Sequence, residues 1–261
     1  GIAMTETVRY ERQGPVAIIK LHRPDALNGF TDELRADLHG ALEQARADEE
    51  VLAVVLTGEG RCFSAGADLK AGFDNEKGVE GQLQNEYRPA LEAIAAMPKP
   101  VIAAVNGFAA GIGLSFALQC DLVVMGEDAF LLSPFTTISL VPDGGANWML
   151  VRQLGYHRAY ELSVESARIA ASRCVELGLA NRTAPADTLL EDAVAWAADL
   201  AKRAPLSLAA TKRAMRYAMD QAWGPSYDLE ASLQSELLAS DDATEGVAAF
   251  FEKRKPEFKG S

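Results

Sequence analysis

Residues 100–113 read Pro100-Val101-Ile102-Ala103-Ala104-Val105-Asn106-Gly107-Phe108-Ala109-Ala110-Gly111-Ile112-Gly113, an apolar run that ends in glycines. Val101, Ile102 and Val105 predict a buried strand. Gly107, Gly111 and Gly113 let main-chain N–H groups approach a ligand with no side chain between. A strand that runs into a helix N-terminus offers unpaired donors and a positive dipole end, which suits a phosphate or a developing oxyanion. The same residues equally suit plain tight packing of a helix on a sheet. A dinucleotide fingerprint is excluded, because Gly111-Ile112-Gly113 continues as Leu114-Ser115-Phe116 and lacks the third glycine.

A second segment repeats the arrangement. Val54-Val55-Leu56-Thr57-Gly58 precedes Arg61-Cys62-Phe63-Ser64-Ala65-Gly66-Ala67-Asp68-Leu69, again a buried strand entering a turn of small residues. Two such turns can place one N–H each on a single oxygen. On these segments the chain resembles the crotonase, or enoyl-CoA hydratase/isomerase, superfamily. The resemblance extends to Arg23-Pro24-Asp25-Ala26-Leu27-Asn28, Lys99 to Gly107, Val141-Pro142-Asp143-Gly144-Gly145 and Glu245-Gly246-Val247-Ala248-Ala249-Phe250, in order, from about Thr7 to Lys259. It implies an α/β fold: a ββα spiral core with an acyl-CoA site over residues 5–185, and a C-terminal helical trimerisation layer over 186–261.

Composition sets outer bounds. A chain of 261 residues, 49% hydrophobic and 24% charged, can bury a sizeable core, and no apolar run is long enough to span a bilayer. The first residues, Gly1-Ile2-Ala3-Met4, do not form a signal peptide. Cys62, Cys120 and Cys174 are odd in number and widely spaced, which argues against a disulfide framework or a zinc site and fits a reducing cytoplasm. The net charge of −12 opposes nucleic acid and anionic membranes as partners. Two basic islands, Lys212-Arg213 with Arg216 and Lys253-Arg254-Lys255, are either places for an anionic ligand or solvated helix faces.

The pattern predicts strands at Val8–Tyr10 and Val16–Leu21, paired as a hairpin through Gln13-Gly14-Pro15. Thr31 is an N-cap for a helix whose apolar stripe is Leu34, Leu38, Ala41, Leu42 and Ala45. Further strands near Ala53–Leu56, Val101–Val105 and Leu122–Met125 alternate with helices near Gln84–Ala96 and Ile112–Gln119. Residues 70–82, with glycines, acidic side chains and little periodicity, predict a mobile loop beside the pocket. Beyond about Ala186 the pattern is helical through Leu189–Ala204, Ser207–Ala222, Ser226–Ser240 and Ala243–Lys253. The apolar faces of this layer need partners, and the resemblance implies a homotrimer or a dimer of trimers whose last helices help bind CoA.

The resemblance also implies the chemistry. In the family a thioester carbonyl accepts two main-chain hydrogen bonds that stabilise an enolate, and the matching positions are Ala67 and Ile112. Such donors contribute about 3–4 kcal/mol each when one is deleted. Family hydratases activate water between two glutamates, and the matching positions hold Ser115 and Phe135, neither a carboxylate. Asp143 matches the essential aspartate of some isomerases and of a dehalogenase. Its apolar neighbours suit a base of raised pKa, while its place before Gly144-Gly145 and a helix at Ala146–Leu154 equally suits an N-cap. Phe135, Trp148 and Phe116 are expected to line the acyl pocket, and Ser115 to be a pocket-lining or helix-satisfied hydroxyl. Ala26, Ala65, Asp68, Leu69, Gly111, Phe250 and Lys253 complete the expected binding set. No His pair has metal spacing, no triad is supported, and no permanently bound cofactor is expected: coenzyme A enters as the substrate thioester.

The leading expectation is therefore an acyl-CoA enzyme that shifts a double bond with Asp143 as single acid/base, closest to ring-epoxide isomerases and 3,2-enoyl-CoA isomerases. The alternatives are a hydratase, a hydrolase or dehalogenase with Asp143 as nucleophile, and a non-catalytic CoA-thioester binder.

Overall fold

The computed structural model describes residues 2–72 and 76–261, with side chains from residue 5 onward. Phe73, Asp74 and Asn75, within the expected loop over 70–82, lie outside the described residues.

Strands β1 (Ile2–Met4), β2 (Val8–Gln13) and β3 (Val16–Leu21) form an antiparallel meander, its second turn made at Gly14 as the Gln13-Gly14-Pro15 signal predicts. Helix α1 (Asp32–Ala47) starts at Thr31, whose hydroxyl accepts the Leu34 N–H, and buries the predicted stripe. Strand β4 (Ala53–Gly58) follows. Helix α2 (Gly78–Gln82) passes through a π turn at Leu83–Tyr87 into α3 (Arg88–Ala96). The expected loop over 70–82 is thus helical from Gly78, and the helix expected at Gln84 begins earlier. Pro89 explains the π turn: it lacks an N–H and its ring crowds the carbonyl four residues back, and the Arg88 N–H bonds Leu83 O instead.

Strands β5 (Val101–Val105) and β6 (Phe108–Ala110) then lead into α4 (Ile112–Gln119), followed by β7 (Leu122–Gly126) and β8 (Phe130–Leu132). Helices α5 (Ala146–Leu154) and α6 (Tyr156–Glu165), strand β9 (Ile169–Ala170), helix α7 (Ala171–Leu177) and strand β10 (Arg182–Ala184) complete the mixed portion. The rest is helical: α8 (Leu189–Ala201), α9 (Pro205–Ala218), α10 (Trp223–Leu238) and α11 (Asp241–Glu252).

Among the described residues the strands form a seven-stranded sheet in the order β1-β2-β3-β4-β5-β7-β10, parallel from β3 onward, and a three-stranded sheet β6-β8-β9. Alternation along β4 shows why residues 53–56 are all apolar. Val54 and Leu56 join the core under α1, α3 and α4, whereas Ala53 and Val55 join a smaller core with Leu189, Ala193 and Ala197 of α8. A parallel sheet covered on both faces requires such continuous apolar strands. No helix among the described residues is long and apolar enough to cross a membrane, and the three cysteines are free and buried.

Candidate active site

Both small-residue turns lie at the ends of parallel strands, β4 and β5, and two side-chain amides pin them. Asn28, fully buried, donates through Nδ2 to the carbonyls of Glu59 and Cys62 at 2.9 Å each. Asn106 Nδ2 donates to Gly58 O at 2.9 Å. The Ser64 hydroxyl bonds Asn28 O at 2.8 Å and accepts the Gly66 N–H at 3.1 Å. Phe30 then fixes the orientation of Ala67: its N–H donates to Gly66 O at 2.8 Å and its carbonyl accepts the Asp68 N–H at 3.0 Å. Because bonds to one strand alternate in direction, the intervening Ala67 N–H points away, and no described residue accepts it.

The second donor is the Ile112 N–H, the first of α4. Its N-cap, Gly111, has no side chain to satisfy the helix's leading N–H groups, and α4 is buried over Ile112–Leu118. The two turns touch at Gly66. A Cβ built there would fall 2.9 Å from Ala110 O and 3.5 Å from Ile112 N, and its φ of +104° favours glycine in any case.

Asp143 completes the cluster. Its Oδ1 is buried with no hydrogen-bond partner, and burial pushes the carboxyl up to about 6. Helix α5 has Gly145 as its N-cap, with no side-chain cap bond, so the aspartate carboxyl is not spent on capping. The Asp143 main-chain carbonyl accepts the Ala146 N–H at 3.2 Å and the Ser115 hydroxyl at 2.7 Å. Gly144 packs on the second turn so closely that a Cβ would lie 2.7 Å from Ile112 Cγ1 and 2.8 Å from Ser115 Cβ. Two unpaired N–H groups and one unpartnered, half-buried carboxyl are thereby held around a single contact.

With this geometry in place, the chain over residues 11–261 matches the family model for enoyl-CoA hydratase/isomerase. The chain belongs to the enoyl-CoA hydratase/isomerase family. It is 40% identical to a probable enoyl-CoA hydratase of Rhodobacter capsulatus, over 97% of this chain and 98% of that one. A 1,2-epoxyphenylacetyl-CoA isomerase of Escherichia coli is 34% identical, over 98% of this chain and 100% of its own. The crystal structure of an enoyl-CoA hydratase from Bacillus anthracis matches with a TM-score of 0.93 at 31% identity, over 98% of this chain and 100% of that one. The crotonase fold and an acyl-CoA enzyme follow from these matches. Hydratase is the commoner word in the relatives' names, isomerase the rarer.

The remaining expected residues of this family member fall into three groups. Phe135 lies over the site, its Cζ 3.9 Å from a Cβ built on Gly111, and Trp148 lines a cavity of about 480 Å³ that reaches Gly144 and Gly145 but not Ala67 or Ile112. Ala26 and Leu69 are exposed near the first turn and Ala65 is half-buried beneath it. Asp68 is engaged in structure: it accepts the Lys70 N–H and pairs with Arg23 Nη1 at 3.1 Å, and that same nitrogen bonds Gly29 O. Phe250 is on α11, which packs on α10, and Lys253 follows its last residue; both are exposed, so a single chain does not gather them with Asp143.

Two expectations are corrected. Phe116 is core rather than pocket wall: fully buried, it stacks on Phe30 with centroids 4.7 Å apart. The basic islands are partly occupied from within, because Lys212 and Arg216 both pair with Asp121, at 2.8 and 2.9 Å, while Arg254 pairs with Glu245 and Glu252. Ile112, whose N–H is the second donor, is a residue 2% exposed with its side chain in the core.

Sequence reasoning missed Tyr87 and Arg35. Tyr87 lines the same cavity as Trp148 and Gly144, and Arg35, buried on α1, donates to its hydroxyl. A lone tyrosine in a helical stretch carries no sequence signal of this kind, because the π turn that aims it has no sequence period.

Proposed function

We propose that this protein is an isomerase-type acyl-CoA enzyme in which Asp143 is the single acid/base. The observation that carries the reading is the unpartnered Asp143 carboxyl beside two unpaired main-chain donors, with Ser115 and Phe135 standing where family hydratases hold glutamates. The thioester oxygen sits on the Ala67 and Ile112 N–H groups. Asp143 removes a proton from a carbon conjugated to that thioester, the charge moves onto the oxygen, and the proton returns at a different carbon of the dienolate. One carboxylate suffices, and a pKa of about 6 suits it: ionised at neutral pH, yet basic enough to abstract. Donors aimed in advance at the developing charge contribute about 3–4 kcal/mol apiece. The relative named as an epoxyphenylacetyl-CoA isomerase supports a ring epoxide as one acyl group to test.

A second reading, hydratase, is favoured by most relatives' names and requires Asp143 to activate water unaided. The test is a pair of assays. A 3-enoyl-CoA is expected to gain the absorbance of the conjugated thioester, with negligible hydration of crotonyl-CoA. Hydration at about 10 per second or faster overturns the isomerase reading.

Further parts of the proposal concern setting. Exposed Trp223, Tyr227, Phe250 and Phe251 on α10 and α11 support burial against other subunits, as a homotrimer or a dimer of trimers, in which Phe250 and Lys253 reach a CoA. Three free cysteines support a cytoplasmic setting.

A further inference from the structure

Tyr87 is a buried phenol that the proton transfer above does not use. It lines the cavity beside Gly144, and Asp143 is among the charges that act on it. Its ring is fixed edge-on to Phe30 at 5.8 Å and against Phe116 at 6.4 Å. Arg35 Nη1 donates to the hydroxyl oxygen at 3.3 Å, with the guanidinium 4.7 Å from the ring centroid. That bond occupies a lone pair and leaves the phenolic proton free. No described residue accepts it, and Asp143 Oδ1 in particular has no partner. Burial holds the group protonated, with its pKa pushed up to about 12.

Four other side-chain donors around the cavity are engaged. The Trp148 indole N–H bonds Asp220 at 3.1 Å, and the Gln119 amide bonds Leu91 O at 3.1 Å. Arg88 pairs with Glu92, and Arg216 with Asp121. Leu83 and Leu91 are apolar wall. A buried donor left without an acceptor is destabilising, and a cation behind it strengthens the O–H as a donor.

We propose that Tyr87 determines specificity: its O–H donates a hydrogen bond to an oxygen atom carried on the acyl group, so the site favours CoA thioesters bearing a hydroxyl, keto or epoxide oxygen over unsubstituted chains of equal length. The inference rests on the acyl-CoA reading above. A site built to bond an oxygen discriminates against the analogue that lacks it, because the protein group is then left unpaired.

The experiment is calorimetry with hexanoyl-CoA and with its hydroxylated isomers, one for each carbon from the third outward. One isomer is expected to bind the wild type roughly tenfold or more tightly than hexanoyl-CoA. The ketone at the same carbon, which can only accept, should keep that preference. Tyr87→Phe should abolish it, with hexanoyl-CoA affinity held or raised, because the unpaired O–H is gone. No preference at any carbon, a preference lost in the ketone, or one that survives in Tyr87→Phe overturns the inference. Failure to bind even hexanoyl-CoA overturns the acyl-CoA reading as well, which separates the two failures.

Discussion

The Ser115 hydroxyl donates a 2.7 Å hydrogen bond to the main-chain carbonyl of Asp143, 28 residues further along the chain. Ser115 is buried on α4, the helix whose first N–H is the proposed oxyanion donor, so one rigid element sets both that N–H and the backbone of the proposed base. Ser115→Ala keeps the volume and removes the tie. It should cost about 1 kcal/mol of stability and lower kcat roughly tenfold with little change in KM, read from denaturant melts and steady-state rates.

Asp143→Asn tests the base. Because the carboxyl caps nothing, the melting temperature should hold or rise, while turnover and solvent-deuterium exchange into an acyl-CoA fall by roughly a hundredfold or more. Full activity in the variant would remove Asp143 from the mechanism.

The same carboxyl sets a pH dependence. Its folded pKa, about 6, lies above the ordinary value near 3.8, so the folded chain binds this proton more tightly than the unfolded chain. Its contribution to stability is fully present below the ordinary value and is lost as pH rises through about 6. Wild type should therefore lose stability relative to Asp143→Asn across that interval, while its rate rises along it as the base ionises. Urea midpoints and kcat/KM measured at closely spaced pH values check both; a flat rate profile through the interval contradicts the assignment.

Gly144→Ala should be severe for a small change. The residue has φ +69°, which costs an L-residue about 1–2 kcal/mol, and the new methyl would meet Ile112 and Ser115 below 3 Å. The turn must move, and Asp143 with it. A loss of more than about 2 kcal/mol in stability together with most of the turnover is expected from melts and rates.

Arg23 tests the other turn. Its Nη1 bridges Gly29 O and Asp68, the residue after the Ala67 donor. Arg23→Met should lower kcat roughly tenfold by letting that donor drift, and Arg23→Lys should recover part of it. An unchanged kcat in Arg23→Met would show that the Phe30 backbone alone holds Ala67.

What the sequence disclosed follows physical lines. Strands β3 and β5 and helix α5 have the expected limits, because buried apolar runs and cap residues write their own boundaries. The short strands β1, β6, β8, β9 and β10 were not expected; each has two or three residues, too few for a period to show. The sequence reads Ser115 as a pocket-lining or helix-satisfied hydroxyl; its bond instead goes to Asp143 O of another turn, a partner that the local carbonyls of α4 hide from a sequence reading. Asp143 as base or cap was undecidable from sequence, because both need the same residue before the same glycines. The geometry removes the cap, because α5 takes Gly145 as its N-cap with no side-chain bond. Arg35 looked like an ordinary polar face of α1 and is instead buried against Tyr87.

The packing of Gly144 on Ser115 also couples two positions. A Cβ on Gly144 would lie 3.0 Å from Ser115 Oγ and 2.8 Å from Ser115 Cβ, so bulk added at 144 must be met by movement at 115. The two residues therefore vary together or not at all, whereas the cavity wall that includes Leu83, Tyr87, Leu91 and Trp148 is set by side chains and is where a change of acyl group is expected to be accommodated.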